Sequence, residues 1–185
     1  GLQVLAEILP QKVGSLLSLN SLSEDLQVNY RTAAHWVEVL ERFYYHFRIY
    51  PFANTKIKSL RKQPKLYLGD WSSVLESGAR LENMVASHLL KAVHFLHDAY
   101  GYKAELNFLR DLEGREVDFL VTVDKKPWFA VEVKNSDKEI SSHLLYFGER
   151  LKIPFLYQVV GESKVDQYSK SIRIISVDKF LTGLV

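Results

Sequence analysis

Two alternating segments joined by a short turn constrain the fold of this chain most strongly. REVDFLVTV occupies residues 115–123 and WFAVEVK occupies residues 128–134, with the turn sequence DKKP between them. Because successive side chains of a strand point to opposite faces, each segment predicts a strand with one mainly apolar face. The short turn predicts that the two strands pair antiparallel as a hairpin.

The register of this hairpin brings charged residues together. If the hairpin is symmetric about Lys125, Asp118 lies opposite Glu132, with their Cβ atoms roughly 5 Å apart. Glu132 and Lys134 share a face because they are two residues apart on one strand. We expect this trio on the less apolar face, beside Leu120 and Ala130. The other face is expected to carry Val117, Phe119 and Val121 of the first strand and Phe129, Val131 and Val133 of the second.

Two adjacent carboxylates repel each other unless a cation or a shared proton joins them. Mg²⁺ takes oxygen ligands from one or two carboxylates and keeps several waters. Asp118, Glu132 and the backbone carbonyl of Val133 are therefore candidate metal ligands. Such an ion polarises a phosphodiester and activates water, while Lys134 is placed to orient that water or to stabilise phosphate charge. The alternative is a solvated edge strand in which Lys134 pairs with Glu116.

The rest of the second half predicts an α/β fold with a mixed sheet. Helical spacing predicts a long amphipathic helix over residues 77–98 and another helix over residues 137–151. Three further strands are predicted from ELNFLR, PFLYQVV and IRIISV, and a terminal helix from DKFLTGLV.

The first half predicts helices followed by a hairpin. Residues 2–18 have helical spacing interrupted at Pro10, and a short second helix is expected with Asn20 or Ser21 as its cap. A third helix is predicted from Tyr30 to about Phe43, capped by Asn29. FRIYPF and KLYLGD then predict two strands. This is the order of a winged helix-turn-helix, so we expect a winged-helix domain over residues 1–65 and a second domain over residues 66–185.

Two groups of basic residues are candidates for nucleic-acid binding. The third helix presents Arg31, His35, Glu38 and Arg42 on one stripe, and a basic segment separates the two strands of the hairpin. We expect Arg31 and His35 to face a DNA groove, although Glu38 argues against strong base readout, and protein docking is the alternative. The basic segment is a candidate phosphate clamp, or else a solvated linker, and contains Lys56, Lys58, Arg61, Lys62 and Lys65.

Composition excludes several classes of site. The chain has no cysteine, so disulfides and zinc–cysteine sites are excluded. The net charge is only +2, so a nucleic-acid surface has to be a local patch. The chain has no phosphate-loop motif, and we expect no ATP site. We also expect a cytoplasmic protein without a membrane span or signal peptide, and, because helical pattern begins at Gly1, a piece of a longer protein.

The run EVD at residues 116–118 followed by EVK at residues 132–134 resembles the signature of the PD-(D/E)xK nuclease superfamily. The helical segment SGARLENMVASHLL resembles the core helix of that superfamily, whose glutamate often joins the metal site. The resemblance thus implies a catalytic set of Asp118, Glu132, Lys134 and Glu82. Val117 stands where the proline of the superfamily name is expected, at a loosely kept position.

The order of segments is most similar to the C-terminal region of prokaryotic AAA-type ATPases, where a winged helix precedes a domain of unknown function. This resemblance covers nearly the whole chain and implies an ATPase domain that would lie N-terminal to it. It implies a Mg²⁺- or Mn²⁺-dependent DNA endonuclease. The alternative is a catalytically inactive nuclease fold that binds nucleic acid or a protein partner. A transcription factor that uses the winged helix alone would need a strongly basic recognition helix, which this chain lacks.

Overall fold

The computed structural model describes residues 1–53, 63–136, 139–162 and 164–184. Within these residues the protein is a mixed α/β structure of six α-helices and one eight-stranded sheet. The helices are α1 (Leu2–Ile8), α2 (Leu19–Asp25), α3 (Tyr30–Arg42), α4 (Ser77–Tyr100), α5 (Ser142–Leu151) and α6 (Val177–Thr182). The strands are β1 (His46–Pro51), β2 (Lys65–Leu68), β3 (Ala104–Arg110), β4 (Glu116–Val123), β5 (Lys126–Lys134), β6 (Phe155–Val160), β7 (Asp166–Ser169) and β8 (Ile172–Ser176).

The sheet joins the two halves of the chain. Its strand order is β2-β1-β3-β4-β5-β6-β8-β7. The hairpin β1–β2 is antiparallel, and β1 then pairs in parallel with β3 through Tyr50 and Pro51. The meander β3–β4–β5 is antiparallel, whereas β5, β6 and β8 run in parallel. The expected domain boundary after residue 65 falls inside β2, a strand of this continuous sheet.

The three N-terminal helices begin and end at identifiable signals. Asn29 caps α3 as predicted, because its side chain accepts a hydrogen bond from the backbone N–H of Thr32 at 2.9 Å. The predicted cap of α2 was wrong: Ser18, two residues before Asn20, accepts from the backbone N–H of Ser21. Pro10 lies in a single 3₁₀ turn that follows α1, so the helix ends where the proline predicted an interruption.

Helices cover both faces of the sheet. The long helix α4 buries Val85, Leu89 and Val93 in one hydrophobic cluster, and α5 buries Leu144 and Phe147 in another. Neighbouring residues of a strand enter different clusters, so Phe119 faces α4 and Leu120 belongs with α5. The expectation of a less apolar face beside Leu120 and Ala130 was therefore wrong, since both side chains are fully buried.

A bulge in β4 changes the predicted face of one residue. The β3–β4 register shifts between Asn107, which pairs with Leu120, and Leu109, which pairs with Val117. Two residues of β4, Asp118 and Phe119, thus oppose a single residue of β3. Val117 was predicted to share a face with Phe119, but it packs in the same cluster as Leu120. The bulge lies at Asp118 itself, next to the candidate site.

Two further elements differ from the sequence expectation. The predicted helix over residues 137–151 begins only at Ser142, after the cap Ser141, and residues 137 and 138 lie outside the described residues. Strand β7 was not predicted, because its mostly exposed residues show no apolar alternation. Among the described helices, none is long and apolar enough to cross a membrane.

Candidate functional site

Asp118 and Glu132 lie opposite each other on neighbouring strands. The β4–β5 pairs Phe119–Val131 and Leu120–Ala130 have the predicted register and, continued by one residue, set Asp118 opposite Glu132. The predicted symmetry about Lys125 fails nearer the turn, where the register shifts and Thr122 pairs with Pro127. The carboxylate of Asp118 accepts a hydrogen bond from the backbone N–H of Val133 at 2.9 Å. The side chain of Asp118 is 16% exposed. This bond holds Asp118 against the backbone segment that links Glu132 to Lys134.

Glu82 reaches this cluster from α4. The buried amide of Asn83 fixes the helix to β2, because its oxygen accepts from the Leu68 N–H and its nitrogen donates to the Leu68 carbonyl, both at 2.8 Å. The hydroxyl of Tyr67 then donates to the Glu82 carboxylate at 2.7 Å. Glu82 and Asp118 therefore lie in the same cluster, since one cation, Lys65, lies within 4 Å of both carboxylates.

Lys65 was expected in the basic segment that separates the strands of the N-terminal hairpin. The Lys65 Nζ lies 2.7 Å from a Glu116 oxygen, 3.5 Å from Asp118 and 3.6 Å from Glu82. It also lies 5.6 Å from the centre of the Phe108 ring. The side chain is only 3% exposed. The expectation that Lys65 belongs to a phosphate clamp was wrong, because its ammonium is buried among three carboxylates.

The electrostatics of the cluster follow from burial and crowding of like charge. Burial raises the pKa of Glu132 to about 8, and the neighbouring Asp118 adds to the shift while Lys134 opposes it. Burial and Asp118 likewise raise the pKa of Glu82 to about 7. Burial also raises the pKa of Asp118. Burial works to lower the pKa of Lys65, but Asp118, Glu82 and Glu116 together raise it above its ordinary value.

One carboxylate oxygen of the cluster has no hydrogen-bond partner among the described residues. The Oε2 atom of Glu132 is buried and makes no hydrogen bond in the described structure. Lys134 points elsewhere, since its ammonium donates to the backbone carbonyl of Glu139 at 3.3 Å. The alternative pairing of Lys134 with Glu116 is not seen, because Glu116 instead pairs with Lys65 and, at 2.5 Å, with Arg110.

The donor chemistry fits a hard divalent cation only in part. Asp118 and Glu132 supply two adjacent carboxylates, of which Glu132 has a free buried oxygen, and two carboxylates plus water suffice for Mg²⁺. However, among the described side chains no group of three or more acids or histidines is arranged to hold a metal. Lys65, rather than open space, lies among Glu82, Glu116 and Asp118.

The predicted nucleic-acid residues lie in two parts of the chain, α3 and the segment between β1 and β2. Arg31 and His35 are exposed on α3, on the side away from the buried Ala33 and Val37. The basic residues Lys56, Lys58, Arg61 and Lys62 lie outside the described residues.

Two clefts among the described residues lie outside the acid cluster. A cleft of about 710 Å³ is lined largely by aromatic and apolar residues of β5, β6, β8 and α6, with Asp166, Arg173 and Lys179 as its charged residues. A second cleft of about 430 Å³ lies between Tyr102 and Trp128. The candidate site is defined by its buried charges.

A family model described as a domain of unknown function, DUF4143, matches residues 77–180, which is more than half of the 185 residues. The chain belongs to the DUF4143 family. This family is commonly a C-terminal region of AAA-type ATPases. A second domain of unknown function, DUF8612, matches residues 2–76. No curated protein and no solved structure matches the chain significantly.

The acid cluster is built from both matched regions. The DUF4143 region contributes Glu82, Glu116, Asp118 and Glu132, and the DUF8612 region contributes Lys65 and Tyr67. Sequence reasoning missed Lys65, Tyr67 and Glu116 as members of the cluster. The alternating strand pattern includes Glu116, but nothing in the sequence brings β2 next to α4.

Proposed function

We propose that the DUF4143 region is a PD-(D/E)xK-type phosphodiesterase domain that hydrolyses DNA with Mg²⁺ or Mn²⁺, and that a winged helix precedes it. The observation that carries the proposal is the opposition of Asp118 and Glu132 across β4 and β5, with a buried, unpartnered oxygen on Glu132. A buried carboxylate oxygen without a partner is costly, and functional sites are where such costs are usually met.

Each residue has a distinct role in this proposal. Asp118, Glu132 and the carbonyl of Val133 would hold the ion, which supplies Lewis-acid activation of the phosphodiester and of water. The backbone N–H of Val133 orients Asp118. Glu82 adds negative charge from α4, and Lys134 offers an ammonium two residues beyond Glu132 to stabilise charge on phosphate. The exposed Arg31 and His35, with Lys56, Lys58, Arg61 and Lys62, would contact DNA.

We further propose that the chain works as part of an AAA-type ATPase in the cytoplasm of a prokaryote. The family match supports this context, since DUF4143 is commonly a C-terminal region of such ATPases. The winged helix would then bind DNA or dock a protein partner, with the ATPase domain supplying ATP chemistry. The isolated chain is expected to show no saturable ATP binding.

Cleavage of supercoiled plasmid tests the enzymatic proposal. We expect nicking by the wild type in Mg²⁺ or Mn²⁺ and none in EDTA. Asp118→Asn, Glu132→Gln and Lys134→Ala should each lose the activity, whereas Glu105→Gln, which changes an exposed glutamate on β3, should retain it. Equal nicking by the wild type and Asp118→Asn would contradict the proposal.

A second candidate function has one observation in its favour. The buried ammonium of Lys65 already pairs with Asp118, Glu82 and Glu116, as it would in an inactive nuclease fold retained as a binding module. This alternative predicts DNA or protein binding that is unaffected by EDTA and by Asp118→Asn. Measuring DNA affinity and nicking on the same variants separates the two functions.

A further inference from the structure

The position of Lys65 links the N-terminal hairpin to the acid cluster. Lys65 is the first residue of β2 and pairs with Ile49 of β1, while its backbone also bridges to Leu16. These contacts hold its backbone from two sides, so the ammonium enters the cluster from the DUF8612 region. The adjacent Tyr67 hydroxyl and the backbone of Gly14 approach Glu82 from the same region.

A lysine at this position acts as the cation of the cluster. Its Nζ lies within 4 Å of three carboxylates on two different elements, α4 and β4. A buried ammonium is stable only when it is paired, and buried carboxylates likewise need a positive partner. Asp118 belongs both to this group and to the pair that it forms with Glu132. A divalent cation bound by Asp118 would therefore compete with the Lys65 ammonium for the Asp118 carboxylate.

We infer that Lys65 is a tethered counter-ion that competes with a divalent cation for the acid cluster and thereby sets its metal affinity. This inference rests on the proposed metal-dependent function, and it makes the DUF8612 region a regulator of the DUF4143 site.

The decisive experiment compares Mn²⁺ binding to the wild-type chain and to Lys65→Met by isothermal titration and by the electron paramagnetic resonance of free Mn²⁺. Methionine keeps an unbranched side chain of similar length but carries no charge. We expect Lys65→Met to bind Mn²⁺ at least about tenfold more tightly, which corresponds to about 1.4 kcal/mol. Lys12→Met is the matched control, because Lys12 pairs with Asp25 at the surface and not with the cluster.

Thermal melts of the same variants provide a readout that needs no activity. Without metal, Lys65→Met should melt about 6–20 °C below the wild type, since its carboxylates lose their buried cation. Mn²⁺ should raise its melting temperature by more than it raises that of the wild type. Lys12→Met should match the wild type in both conditions.

The outcomes separate this inference from the proposed function. Equal Mn²⁺ affinity in the wild type and Lys65→Met overturns the competition and leaves the metal-dependent function intact. Binding by Lys65→Met with no binding or nicking by the wild type supports the competition and overturns the proposed function of this chain. Absence of Mn²⁺ binding in both proteins overturns both.

A measurement on the wild type covers the case in which Lys65→Met does not fold. The ¹H–¹⁵N signal of a buried, ion-paired ammonium is observable by nuclear magnetic resonance because its protons exchange slowly. We expect the Lys65 signal to shift or disappear in proportion to added Mg²⁺, while the backbone amide signals of α3 stay unaffected. A Lys65 signal that is unchanged at saturating Mg²⁺ contradicts the inference.

Discussion

The side-chain amide of Asn83 is paired with the backbone of Leu68 through two hydrogen bonds of 2.8 Å, one accepted and one donated. Asn83 is fully buried, so this pair joins α4 to the end of β2 inside the core. The residues that precede them in each element, Glu82 and Tyr67, contact each other directly. The Asn83–Leu68 pair thus sets the relative position of the helix and strand that form one side of the acid cluster.

We predict that Asn83→Ala destabilises the protein by about 2–5 kcal/mol, because it leaves a buried N–H and a buried carbonyl of Leu68 without partners. Urea denaturation measures this loss. Ser87→Ala is the control, since it removes only the weaker 3.3 Å contact to the Asn83 amide and the hydroxyl's bond to its own helix. A loss below about 1 kcal/mol in Asn83→Ala would show that the pair contributes little.

We predict that Glu132→Gln stabilises the metal-free protein, and increasingly so as pH rises. Burial raises the pKa of Glu132 to about 8, so the folded protein holds a proton that the unfolded chain releases near the ordinary glutamate pKa of 4.5. The wild type should therefore lose stability between about pH 4.5 and pH 8, relative to the variant. The gain should reach about 1–3 kcal/mol, the cost of a buried unsatisfied polar group.

Denaturant titrations of both proteins across this pH range check the sign. Glu105→Gln, at an exposed position, serves as the matched control and should give a curve parallel to that of the wild type. If Glu132→Gln also runs parallel to the wild type, the carboxylate of Glu132 is not desolvated in solution.

We predict that Gly14→Ala disturbs Glu82. Gly14 has a φ of +72°, and an added Cβ would lie 3.2 Å from Oε1 of Glu82. Gly101 has the same φ, but an added Cβ there meets nothing within 4 Å. Both alanine variants should pay roughly 1–2 kcal/mol for the left-handed backbone, and Gly14→Ala should lose more.

The excess loss in Gly14→Ala should disappear when Glu82 is also replaced by alanine. A thermodynamic cycle of the two single variants and the double variant measures this coupling. Equal losses in Gly14→Ala and Gly101→Ala would mean that Glu82 moves aside without cost.

We predict that neutralising Lys56, Lys58, Arg61 and Lys62 together weakens DNA binding and flattens its salt dependence. Each phosphate contact contributes nearly one unit to the slope of log affinity against log salt, so the slope should fall by up to about four units. Fluorescence anisotropy with duplex DNA at several salt concentrations measures the slope. An unchanged slope in the quadruple variant would assign binding to another surface.

The sequence by itself determined the elements and the pairing that depend on neighbouring residues. The alternation around the DKKP turn predicted the register of β4 and β5 from Phe119 to Val121, because a short connection leaves the chain few ways to pair with itself. It did not predict the one-residue shift at Thr122. The cap at Asn29 and the extent of α4 followed from local signals in the same way. The opposition of Asp118 and Glu132 is a consequence of that local register.

Only the tertiary structure decided which cation lies among the carboxylates of the cluster. Lys65 stands beside a basic segment in the sequence and resembles its neighbours, yet the strand pairing of β2 and the packing of α4 bury its ammonium among carboxylates up to 53 residues away. The bulge at Asp118 is likewise invisible to alternation, because it arises from pairing with β3. Burial and charge pairing depend on contacts distant in the chain, and a local pattern carries no information about them.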